Sequence, residues 1–151
     1  MPTDTTQTSQ PATIDQVADL IGRPYIRDQD CNWLMAEVAR RLGTYYPDLV
    51  TPPDPADWPA MFAQSLATYA RACDCVPGCI AIFRFIDDHE KEHWHCGTVL
   101  AAAAHQPTAH RLITTIAALG VHVIPMTESN RKWRIWELHC TGYYHLRRPT
   151  P

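Results

Sequence analysis

The chain has 151 residues, 13 Lys+Arg against 16 Asp+Glu and 46% apolar residues, the size and composition of one soluble globular domain that needs no disulfide to fold. A net charge of −3 with no basic run longer than two residues excludes the phosphate-neutralising patch of a nucleic-acid binder. No apolar stretch approaches the roughly 20 residues that cross a bilayer. The start, Met1 to Gln10, is polar throughout and lacks the basic and apolar regions of a secretory leader. The expectation is a chain that is cytoplasmic where it is made, with reduced thiols.

Residues 1–12 carry Thr, Gln, Ser and Pro with no large side chain after Met1, and read as a disordered N-terminal tail; residues 13–151 read as a single domain. Thr13-Ile14-Asp15-Gln16 has the form of a capping box, and Ile14, Val17, Leu20 and Ile21 follow at helical spacing before Gly22 and Pro24. A second helix is predicted from Cys31, with Leu34, Met35, Val38, Ala39 and Leu42 inward, Glu37, Arg40 and Arg41 outward, and Gly43 as the stop. Pro47, Pro52, Pro53 and Pro55 make Thr44 to Trp58 a surface loop. Asp57 then caps a third helix with Pro59 in its first turn and the stripe Phe62, Leu66, Tyr69 and Cys73.

After Pro77-Gly78 the character turns to β. Cys79 to Ile86, Trp94 to Ala101, Leu112 to Ile116, Gly120 to Ile124 and Lys132 to His139 have strand lengths and β-branched or aromatic composition. Helices before strands predict an α+β fold, with N-terminal helices packed on a mostly antiparallel sheet of about five strands.

Cys31 follows Asp30 at the start of a predicted helix, where the dipole and the unpaired N–H groups favour a thiolate. A nucleophilic Cys also needs a base. The candidate is His95 at the start of a predicted strand, since a helix N-terminus and a strand start can meet at one end of a helix-on-sheet layer.

Gly22-Arg23-Pro24-Tyr25, Asp30-Cys31, Pro77-Gly78 and His95-Cys96-Gly97-Thr98-Val99-Leu100, in this order, resemble the NlpC-type family of papain-like cysteine peptidases, which cleave peptide bonds of bacterial cell-wall peptidoglycan. The resemblance extends from about Ile14 to Tyr144. It implies a papain-like fold, Cys31 as nucleophile, His95 as general base and Tyr25 lining the substrate site, with no metal or other cofactor. It also implies that Thr114 orients the imidazole, or His110 if the strand is shifted. Peptidoglycan stem peptides would be the substrate partners. Small leaderless members of the family are often encoded with phage tail components, which implies tail proteins as partners and the virion tail as a location. The chain departs from the family at Thr114, where His is usual, at Asn32-Trp33, where a small pair is usual, and at Cys79, where Asp is usual.

Two alternatives stand beside this reading. One is a catalytically silent papain-like structural or tail-assembly protein. The other is a small zinc-binding interaction module using Cys73, Cys75, Cys79 and Cys96, residue types that zinc prefers but at a spacing unlike its usual ligand pairs.

Overall fold

The Asp30 carboxylate accepts from the Trp33 N–H at 3.1 Å, satisfying one of the donors that a helix start leaves open. The helix it opens, α1 (Cys31–Leu42), ends at Gly43, which adopts the left-handed conformation with φ 71°. Leu34, Met35 and Val38 bury one stripe of α1, and Glu37 pairs with Arg40 and Arg41 on the other. In the computed structural model, which describes residues 11–26 and 30–149, a 3₁₀ helix (Ile14–Leu20) precedes α1. A shorter one (Pro55–Asp57) leads into α2 (Trp58–Tyr69). There follow β1 (Ala70–Cys73), β2 (Ile80–Ile86), β3 (Glu92–Ala103), β4 (Gln106–Ile116), β5 (Gly120–Pro125), α3 (Arg131–Glu137) and β6 (Cys140–Leu146).

The six strands form one sheet in the order β1-β6-β2-β3-β4-β5, and every neighbouring pair is antiparallel. Side chains alternate across a sheet, so each face has its own core. Ile82, Cys96, Leu100, Ile113 and Val121 join Cys31, Leu34 and Val38 of α1 and Phe62 of α2 in one cluster. Phe83, Val99, Leu112 and Ile124 join Trp133 and Trp136 of α3 in the other. The fold is therefore α+β on an antiparallel sheet, as the order of elements implied.

Several elements differ from expectation. The first helix is 3₁₀, consistent with Ile14, Val17 and Leu20 recurring every three residues; its start is held by Gln16 Oε1, which accepts from the Thr13 N–H at 3.0 Å. Cys73 lies on β1 and not on the preceding helix, because α2 ends at Tyr69 and the chain then pairs with β6. The segment expected as a strand over 132–139 is α3. Asn130 caps it by accepting from the Trp133 N–H at 3.0 Å, and Trp133 and Trp136, one helical turn apart, are buried while Ile135 is exposed. Expected tail residues 1–10 lie outside the described residues. Ala12 is already bound, its carbonyl accepting from the Ala101 N–H at 2.8 Å.

The β3–β4 pairing runs from Ala103↔Gln106 to Thr98↔Ile113. Beyond it, residues 92–97 of β3 pair with β2 alone and residues 114–116 of β4 pair with β5 alone. This divergence at one end of the sheet lies beside the start of α1.

Candidate active site

A cavity of about 710 Å³ occupies that divergence. Its walls are Asp30 and Cys31 at the start of α1, Tyr25, the turn carrying Trp58 and Pro59, the start of β3 from Lys91 to His95, and Thr115 to Ala117 at the end of β4. Trp94 stacks on Phe62 with ring centroids 5.7 Å apart and planes 14° apart, which anchors the β3 wall to α2. Asn32 fixes the opposite side. Its Nδ2 donates to the Leu49 carbonyl and to Thr51 Oγ1, both at 3.1 Å, and its Oδ1 accepts from the Tyr46 hydroxyl at 2.5 Å. The residue that departs from the small pair expected after the cysteine thus ties the proline-rich loop to the helix start.

Cys31 is buried at this wall, at the first position of α1 and next to the N–H groups of its first turn. Its side chain faces the sheet, where it meets Cys96. That thiol is pushed well above its ordinary value, first by hydrogen bonding to Cys31 and then by burial, so Cys96 remains protonated beside Cys31.

His95 borders the same cavity from the β3 side, but its imidazole belongs to the opposite face of the sheet. It pairs across β2 with Phe83, and its ring lies 5.6 Å from Phe85 and 5.8 Å from Trp136, centroid to centroid. Burial, and then the neighbouring His93, hold its pKa below the ordinary histidine value, so the ring is neutral at neutral pH.

Thr114 shares the His95 face, yet its hydroxyl donates to the Cys96 carbonyl at 2.8 Å and the side chain has no exposed surface. Its neighbour Thr115 points to the Cys31 face and lines the cavity. The Thr115 Oγ1 is buried with no hydrogen-bond partner among the described residues. Strand alternation carries the signal for Thr115: counted from the core residue Ile113, it shares the α1 side, whereas Thr114 does not. His110, the alternative to Thr114, lies farther along β4, where Nδ1 meets Cys75 Sγ at 3.7 Å.

The structure therefore brings Cys31, Tyr25 and the border of His95 to one cavity, and leaves the His95 ring and Thr114 on the other side of the sheet. The four cysteines of the zinc alternative are also divided. Cys96 packs with α1, while Cys73, Cys75 and Cys79 pack on the α3 face. Among the described residues no group of three or more His, Cys, Asp or Glu is placed to hold a metal ion, and no helix is long and apolar enough to cross a membrane. No protein-family model matches the chain, and no curated protein matches it.

Proposed function

We propose that the chain is a papain-like cysteine hydrolase of the NlpC type, cutting peptide bonds in the stem peptides of bacterial cell-wall peptidoglycan, with phage tail proteins as partners in the virion tail. The observation that carries this reading is Cys31, a thiol at a helix start on the wall of the cavity at the sheet divergence. In the proposed reaction the Cys31 thiolate attacks the peptide carbonyl carbon. His95 takes the Cys31 proton, the N–H groups of the first turn of α1 hold the oxyanion, and the proton passes from His95 to the amine as the C–N bond breaks; water, deprotonated by His95, then attacks the thioester and releases the carboxylate and the Cys31 thiol. A neutral imidazole is the form a base requires, and burial keeps His95 in that form. The reading also requires His95 to reach the Cys31 side. Residues 92–97 pair only with β2, and a one-residue shift of register there exchanges His95 and Cys96 between faces.

The second reading is the catalytically silent shell. It is favoured by the same imidazole, which packs on Phe85 and Trp136, and by the Thr114 hydroxyl, which is already taken by the Cys96 carbonyl. Incubation of the purified chain with muropeptides, followed by mass spectrometry of the products, separates the two. Hydrolase activity predicts new amine and carboxylate ends, lost by at least about 10³-fold in Cys31→Ala. Intact muropeptides with the wild-type chain leave the silent reading in place.

A further inference from the structure

On the sheet face away from Cys31, the link between β1 and β2 folds back on itself. The Cys79 N–H donates to the Val76 carbonyl at 3.1 Å, Gly78 takes a φ of 94°, and its N–H donates to the Val99 carbonyl at 2.7 Å. This turn returns Cys79 toward Cys75, and both pack in the α3-side core with Cys73, Cys140 and Tyr143. The two thiols differ in access: Cys75 is half-buried, whereas Cys79 has no exposed surface. Only Cys75 has an imidazole beside it, with His110 Nδ1 at 3.7 Å from Sγ.

We propose that Cys75, Cys79 and His110 form a redox-active dithiol site that exchanges with low-molecular-weight disulfides of the glutathione type. An accessible thiol beside an imidazole with a buried thiol next to it divides the work as exchange requires, one sulfur attacking and the other resolving. The electrostatics agree: Cys79 hydrogen bonding, offset in part by burial and aided by His110, lowers Cys75 to about 6, while Cys79 is raised, first by its bond to Cys75 and then by burial.

In the first step the Cys75 thiolate attacks one sulfur of RSSR, a Cys75–SR bond forms, the S–S bond breaks, and RS⁻ leaves and is protonated by water. In the second, Cys79 attacks Cys75 Sγ and the Cys75–SR bond breaks, the departing sulfur taking the Cys79 proton and leaving as RSH. The balance is one disulfide reduced to two thiols and two cysteine thiols oxidised to one disulfide. The site shares no residue with the Cys31 cavity, so it stands whether or not the chain hydrolyses peptides.

The test equilibrates the full chain with oxidised and reduced glutathione at neutral pH, quenches it by alkylation and maps each cysteine by mass spectrometry. The expected product is a Cys75–Cys79 disulfide. In Cys79→Ser the expected product is a glutathione mixed disulfide on Cys75, and in His110→Ala its formation slows on the order of tenfold. Because Cys79 is buried and its variant can fail to fold, wild-type trapping and the His110→Ala rate carry the test by themselves. A Cys73–Cys79 disulfide, Cys75 reacting no faster than Cys140, or one equivalent of zinc held by the purified chain overturns the proposal.

Discussion

Thr114 and Thr115 are adjacent, buried and alike in chemistry, and the same substitution at each is expected to act with opposite sign. Valine keeps the shape of threonine and removes the hydroxyl. At Thr114 the hydroxyl donates to the Cys96 carbonyl at 2.8 Å with no exposed surface, so Thr114→Val deletes a buried bond and costs about 1–3 kcal/mol. At Thr115 the buried hydroxyl has no partner among the described residues, so Thr115→Val removes a desolvated polar atom and stabilises by about 0.5–2 kcal/mol. With a urea slope of roughly 2 kcal/mol/M for a domain of this size, these changes move the unfolding midpoint down and up, respectively, by several tenths of a molar or more. The assay is equilibrium urea denaturation followed by tryptophan fluorescence, with the two slopes compared to confirm that both variants unfold in the same way. Midpoints that move in the same direction contradict this assignment, because they show that the Thr115 hydroxyl holds a bond of its own.

Three further outcomes follow from the same contacts. Phe83 has no exposed surface and meets Trp136 edge-on at 5.0 Å and Trp133 at 6.2 Å, so Phe83→Ala is expected to cost about 3–5 kcal/mol, read by urea denaturation; a loss below about 1 kcal/mol contradicts the packing of α3 on this face. Asp30→Ala removes the cap on the Trp33 N–H and is expected to cost about 1 kcal/mol, with restoration by Asp30→Ser; no change in thermal midpoint would contradict the cap. For pH, burial holds His95 below its unfolded value near 6.5. The unfolded chain therefore binds more protons between the two values, and stability falls as pH drops through 6.5. His122, lowered chiefly by burial, contributes in the same direction. His95→Gln is expected to flatten the dependence of the urea midpoint between pH 7.5 and 5.5 (about one unit either side of that value), and an unchanged slope assigns the dependence elsewhere.

Local chemistry was legible wherever one residue dictates the backbone. Asp30 and Gly43 bound α1, the prolines between Thr44 and Trp58 exclude a regular element, and the β-branched runs fall within two residues of the observed limits of β2, β3 and β5, whereas β4 begins at Gln106, six residues before the run from Leu112. Composition misled over 132–139, where aromatic residues suited to a strand are instead spaced to bury Trp133 and Trp136 on one side of a helix. The Asn130 cap was the available contrary signal. Strand β1 has four residues, and β6 contains Gly142 and polar residues, so their pairing depends on partners far along the chain. At the candidate site the residue types were readable, but the face each one takes depends on register. His95 and Cys96 differ by one position, and that position decides which of them meets α1.

Acyl transfer to sulfur reports whether Cys31 is a nucleophile. The full chain is mixed briefly with an activated ester of a stem-peptide analogue, quenched in acid, and the acylated residue located by peptide mass spectrometry, in the wild type and in Cys75→Ser to remove the other reactive thiol. A nucleophilic Cys31 gives a transient acyl group on Cys31 in both, decaying as the free acid appears, and slower to form in His95→Ala. An acyl group confined to Cys75, or none on Cys31, contradicts it.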